Sequence, residues 1–136
     1  KNEIYVELIK QMSKGDLSEE VKNTLDALRA KGCKLAIGSS SKNTKLILTQ
    51  IGLRDYFDAI SDGNNITHSK PDPEVFLKGA EFLELNPKDC LVVEDAEAGI
   101  DAAVAGGFAS AGIGEASRHP QVTYPINTFS DLLKIQ

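Results

Sequence analysis

Cys90-Leu-Val-Val-Glu-Asp-Ala-Glu-Ala-Gly-Ile100 decides how this chain is read. A short apolar run ends in two adjacent carboxylates and then turns into small residues suited to a helix. Apolar runs of this kind, bounded by turns, read as strands buried on both faces of a parallel sheet. In an open α/β sheet, ligands bind beyond the carboxyl ends of such strands. Glu94 and Asp95 therefore stand on the rim where chemistry happens. Acids also favour helix N-termini, so capping alone is the plainer use of such a pair. Crowding two carboxylates without a basic neighbour in sequence is costly unless a cation or a proton shares them.

A second strand, Lys34-Leu-Ala-Ile-Gly38, ends in Ser39-Ser40-Ser41, followed by Lys42-Asn43 and a helical pattern. Here the rim carries hydroxyls, and the next helix offers free N–H groups. That combination suits an anion such as phosphate. Ser41 is the better candidate for the helix cap. Between the two strands lies Ser69-Lys70-Pro71-Asp72-Pro73. Most lysines are solvated surface groups. Lys70 differs because Pro71 and Pro73 stiffen the backbone around it, which favours a fixed cation.

Hydroxyl, lysine and carboxylate pair, in that order, resemble the haloacid dehalogenase-like phosphotransferases. The wording of IGSSSKN, HSKPDPEVF and VEDAEAGIDAA is similar to the β-phosphoglucomutase branch and its sugar-phosphatase relatives. The resemblance covers nearly the whole chain. It places Ser39 on the second family motif, Lys70 on the third and Glu94-Asp95 on the fourth. It implies that Ser39 and Lys70 are catalytic and that Ser39, Ser40 and Lys70 bind phosphate. Lys42 and Asn43 would contact the substrate. Asp95, helped by Glu94, would hold Mg²⁺. The implied reaction is isomerisation of β-glucose 1-phosphate to glucose 6-phosphate through an aspartyl-phosphate. A sugar-phosphate phosphatase and an inactive phosphate-binding remnant are the alternatives. A signalling receiver domain uses similar groups, but with the acid pair first and the lysine last.

One departure matters. The first family motif is Asp-x-Asp after an N-terminal strand, its first aspartate the nucleophile. No Asp-x-Asp occurs in these 136 residues. The opening Lys1-Asn-Glu-Ile-Tyr-Val-Glu-Leu-Ile9 reads as a helix, with Ile4, Leu8, Ile9 and Met12 on one face and Gly15 as its stop. Residues 1–15 are thus expected to be the end of a helical cap or a linker helix. Residues 16–136 are expected to be a partial α/β core: a doubly wound, Rossmann-like parallel sheet of the haloacid dehalogenase-like fold, lacking its first strand. That strand would belong between 34–38 and 90–94. Its absence predicts a gap, or a filling strand from a partner, from an N-terminal piece of the same enzyme or from the chain's own tail.

Composition narrows the class. A chain of 136 residues can bury a sizeable core in one domain. With 26% charged residues and a formal net charge of −5, it argues for a soluble protein and against nucleic-acid binding; a small-molecule sugar-phosphate partner is what the resemblance implies. No apolar run approaches membrane-spanning length. The missing initiator methionine suggests a cut or processed chain. Cys33 and Cys90, both at strand starts, read as buried thiols in a reducing, cytoplasmic setting.

Elsewhere, Ser18 caps a predicted helix with Val21, Leu25 and Leu28 inward. A helix over 42–51 is expected to bury Leu46, Ile47 and Ile51, and 57–60 reads as a short strand. Asp72 and Pro73 open a helix burying Val75, Phe76, Ala80 and Leu83. Helix 97–105, strand 108–113, an edge strand over 122–126 and a closing helix over 129–135 complete the pattern. His68 and His119 read as loop residues without a catalytic part.

Overall fold

A computed structural model describes residues 3–6 and 19–135, apart from 51 and 54. Its elements alternate: β1 (Glu3–Val6), α1 (Glu19–Ala30), β2 (Leu35–Gly38), α2 (Thr44–Gln50), β3 (Ala59–Ser61), α3 (Glu74–Leu83), β4 (Cys90–Glu94), α4 (Glu97–Gly106), β5 (Ala109–Ile113) and β6 (Tyr124–Ile126). A final 3₁₀ segment, Phe129–Lys134, stands where the sequence predicts a closing helix. The strands form one six-stranded sheet in the order β3-β2-β1-β4-β5-β6, and every pairing is parallel. This is the doubly wound order, in which the direction of winding reverses between β1 and β4.

Two apolar layers cover the sheet. Val21, Leu25 and Leu28 of α1, Leu48 of α2, and Phe129 and Leu132 pack on Leu35, Ile37, Leu91 and Val93. Val75, Phe76, Ala80 and Leu83 of α3, with Ala102 and Ala103 of α4, pack with Ala36, Cys90 and Val92 on the other face. The alternation along β2 and β4 explains why both strands are buried throughout. Cys33 and Cys90 are buried free thiols.

The opening segment corrects the sequence reading. Glu3–Val6 is a strand, not part of a helix, and it fills the slot expected to lie empty. Ile4 is level with both Leu35 and Leu91, and Val6 with both Ile37 and Val93. The fold therefore has a strand in the first-strand position, supplied by the chain's own opening residues. The physical reason is the slot itself. An empty slot would leave two rows of buried backbone groups unpaired, each costing about 1–3 kcal/mol. Ile-Tyr-Val has strong strand propensity, and the tertiary environment overrides a short helical periodicity. The expected helix face through Leu8, Ile9 and Met12, the stop at Gly15 and the cap at Ser18 lie outside the described residues.

A smaller correction concerns α2. The helix begins at Thr44, and its inward positions are Thr44 and Leu48, one helical turn apart. Leu46 is 58% exposed instead of buried. Ile47 is half-buried against the core, and Ile51 lies outside the described residues.

Candidate functional site

The carboxyl ends of β2 and β4 flank β1, so the two rims identified from sequence lie one strand apart. Lys70 bridges them. Its Nζ donates to Glu94 Oε2 at 2.7 Å and to the Gly38 carbonyl at 3.5 Å, and it lies 5.1 Å from the centroid of the Phe76 ring. The lysine is thus held between Glu94 and the Gly38 carbonyl. The Lys70–Pro71 peptide bond is cis.

Glu94 is the buried partner of this pair, with 2% of its side chain exposed. Burial pushes its carboxyl above the ordinary range, and the Lys70 ammonium opposes that shift. Its other oxygen, Oε1, accepts the N–H groups of Asp95 and Ala96 at 3.2 and 3.3 Å. Gly99 makes the space. A Cβ there would lie far inside van der Waals contact distance of the Glu94 carboxyl carbon. The glycine of Glu-Ala-Gly is therefore required by the buried glutamate one turn before it.

On the other rim, Ser39 is fully buried, and its Oγ accepts the Ser41 N–H at 3.1 Å. Ser41 Oγ accepts the Asn43 N–H at 3.1 Å, a turn bond ahead of the helix, which begins at Thr44, so Ser41 is not the cap expected from the sequence. Ser40, Lys42 and Asn43 are exposed. The accessible donors on this loop are thus backbone groups and Lys42 more than the Ser39 hydroxyl, which braces the turn. A polar cleft of about 390 Å³ opens between this loop and the segment leading to Lys70, lined by Ser40, Lys42, Asn64, Thr67 and Ser69 among others.

The donor set for Mg²⁺ is incomplete among the described residues. No group of three or more His, Cys, Asp or Glu is placed to hold a metal ion. Both Glu94 oxygens are engaged, one by Lys70 and one by backbone N–H groups. Asp95 is half-buried and is the carboxylate left on this rim. One carboxylate does not supply the fixed octahedral set that Mg²⁺ prefers.

Sequence reasoning missed Glu74. Its two oxygens accept the Thr67 N–H at 3.1 Å each, and Oε1 accepts the His68 N–H at 2.8 Å. Asp72 Oδ1 in turn accepts the Glu74 N–H at 2.9 Å. The first acid of α3 therefore clamps the loop that presents Lys70. His68 is exposed beside it, its Nδ1 3.4 Å from Glu74. His119, read as an idle loop residue, is buried. Its Nε2 lies 2.7 Å from Asp101 Oδ1 on α4, and its Nδ1 accepts the Gln121 N–H at 3.0 Å. That pattern places the ring proton on Nε2.

Glu74→Gln should speed amide exchange at Thr67 and His68. The backbone bonds from His68 and Thr67 hold Glu74 below its ordinary carboxyl value of 4.5. A depressed acid contributes stability that is present above that value and lost as pH falls below 4.5, through the depressed value. Protection at these two amides should fade over that acid range in the wild type. Unchanged protection in Glu74→Gln at neutral pH would remove the clamp.

Fold and rim together define a class: a doubly wound α/β protein with a lysine–carboxylate pair and a hydroxyl loop at its switch point. The family model for haloacid dehalogenase-like hydrolase matches residues 2–107, and the chain belongs to that family. A β-phosphoglucomutase of Bacillus subtilis is 37% identical over 115 residues, covering 85% of this chain and 51% of the relative. A fructose-1-phosphate phosphatase of Escherichia coli is 42% identical over 71 residues, 52% of this chain and 38% of the relative. The crystal structure of a β-phosphoglucomutase from Clostridium difficile superposes with a TM-score of 0.80 at 29% identity, covering 91% of this chain and 57% of that one. The chain thus spans about half the length of the mutase relatives it matches.

Proposed function

We propose that this chain is the phosphate-handling core of a Mg²⁺-dependent sugar-phosphate phosphotransferase of the β-phosphoglucomutase type, working in the cytoplasm. The observation that carries this reading is the position of Lys70, within hydrogen-bonding reach of both Glu94 and the Gly38 carbonyl. Phosphoryl transfer asks the protein chiefly for positioning and charge neutralisation. Lys70 supplies a fixed cation, and Glu94 holds it in place. The Ser40 N–H, with Lys42 and Asn43, faces the phosphate and the sugar, while Ser39 shapes the loop. Asp95 would supply one ligand to Mg²⁺, whose charge would help neutralise the phosphoryl group; the described residues do not complete the set. The nucleophilic aspartate has no counterpart among these residues, so the chain alone turns over no sugar phosphate. A sugar-phosphate phosphatase of the same family is the second reading, favoured by the identity to the fructose-1-phosphate phosphatase.

The test is an NMR titration of residues 1–136 with inorganic phosphate. Saturable shifts at the amides of Ser40, Lys42 and Asn43 are expected. They should be lost in the double variant Lys70→Met/Glu94→Gln, which keeps the buried site neutral. No saturable shift, or shifts that survive the double variant, would overturn the assignment of Lys70.

A further inference from the structure

The loop that carries the hydroxyls is held from outside as well as by its own bonds, among them Thr44 Oγ1 donating to the Ser41 carbonyl at 3.0 Å. Gly63 N–H donates to the Ser41 carbonyl at 3.0 Å, and Asn64 Nδ2 donates to the Lys42 carbonyl at 3.1 Å. The Ser40 carbonyl lies against Gly63, where an added Cβ would stand 2.5 Å from its oxygen. Three consecutive carbonyls, those of Ser40, Ser41 and Lys42, therefore face the turn after β3.

That turn is itself braced. Asp62, 1% exposed, accepts the Asn64 N–H through Oδ1 at 2.9 Å. Asn65 Oδ1 accepts the Asp62 N–H at 2.8 Å, and Asn65 Nδ2 donates to Ser61 Oγ at 3.1 Å. Ser61 Oγ donates to the Val75 carbonyl of α3 at 2.6 Å. The turn is thus anchored on β3 and α3 and reaches across to the hydroxyl loop.

In a trans peptide the carbonyl of one residue points opposite to the N–H of the next. Turning three carbonyls towards the Asp62–Asn64 turn sends the following N–H groups to the other side. The Ser41 and Asn43 N–H groups go to Ser39 Oγ and Ser41 Oγ. With those two taken up by hydroxyls, the N–H left to the loop's other side is that of Lys42, with the three carbonyl oxygens turned away from it, an arrangement that favours an anion.

We propose that Gly63 and Asn64 are positioning residues for the anion-binding loop: they hold the Ser40–Lys42 carbonyls away from the phosphate. Asn64 acts through its side-chain donor, and Gly63 through its N–H and its lack of a Cβ. This inference rests on the phosphate reading of the Ser40–Lys70 corner.

The experiment is the phosphate titration repeated on Asn64→Ala, Asn64→Gln and Gly63→Ala. Losing one neutral hydrogen bond that orients the loop should weaken phosphate binding about three- to tenfold in Asn64→Ala. Thermal stability should change little there, because Asn64 is exposed. Asn64→Gln keeps a donor and should recover part of the affinity. Gly63→Ala should bind more weakly still, since the new methyl collides with backbone. Wild-type phosphate affinity in Asn64→Ala would overturn the latch while leaving the phosphate site standing. Absence of phosphate binding in the wild type would overturn the phosphate reading and the latch together.

Discussion

Lys70→Met should destabilise the fold by about 3–5 kcal/mol at neutral pH, a large share of a typical total of about 5–15. Glu94 is 2% exposed, and the 2.7 Å contact with Lys70 is its one charged partner among the described residues. Removing the ammonium leaves a carboxylate buried between strand and helix with only two backbone N–H groups in compensation. The pH dependence has a definite sign. Burial already raises the Glu94 value, and losing Lys70 raises it further. An acid whose folded value is raised contributes stability below its unfolded value and loses it as pH rises through the folded one. The damage in Lys70→Met should therefore be smallest in acid, where Glu94 is protonated, and should grow towards neutrality. Adding Glu94→Gln should recover most of the stability, because the orphan charge is gone. Urea unfolding of wild type, both single variants and the double variant closes the cycle. A Lys70→Met protein within about 1 kcal/mol of wild type would show that Glu94 finds another partner or stays protonated in both.

How far the sequence carries this picture depends on the range of the interactions involved. Strand Cys90–Glu94 and the helix after it are legible because an unbroken apolar run, an acid pair and small residues all sit within one local segment. The approach of Lys70 to Glu94 is not local, since 24 residues separate them. Only the order of motifs hinted at it. Glu74 was hidden because an acid in the first turn of a helix looks like a dipole partner, and its grip on Thr67 and His68 needs the folded loop. The Asp62–Asn65 turn carries a readable signal, an Asp-Gly step followed by asparagines. What it holds, the carbonyls of Ser41 and Lys42, is set by the parallel pairing of β2 with β3. The pairing of His119 with Asp101 spans 18 residues and leaves no periodic trace.

The opening strand was illegible for a different reason, and it supports the second large prediction. Glu-Ile-Tyr-Val is four residues long, too short for a helical and an alternating pattern to be told apart. The two assignments disagree sharply about Tyr5→Pro. In a helix, proline near the first turn is tolerated, because those N–H groups have no partner within the helix. In β1 the same change falls in the centre of the sheet, with Tyr5 level with Ala36 on one side and Val92 on the other. Proline there removes a ladder donor and forces its ring against a neighbouring strand. Neighbouring buried groups then lose partners at about 1–3 kcal/mol each. Tyr5→Pro should therefore abolish cooperative unfolding or lower the urea midpoint severely. Amides of Ile37, Val92 and Val93 should lose protection from exchange. A variant as stable as wild type would return residues 1–9 to the helical reading and leave the slot to another occupant. The occupant matters for chemistry as well as stability. Val6 is level with Ile37 and Val93, one residue short of Gly38 and Glu94. A strand one residue longer in the same register would end between those two positions, beside Lys70. An apolar strand ending in Asp-x-Asp, supplied as a separate chain, should thus compete with β1 for this slot and place its first carboxylate against the lysine. Displacement of the Ile4–Val6 amide signals on adding that chain, together with turnover of a sugar phosphate under the proposed function, is the expected result. Turnover without displacement would place the nucleophile elsewhere.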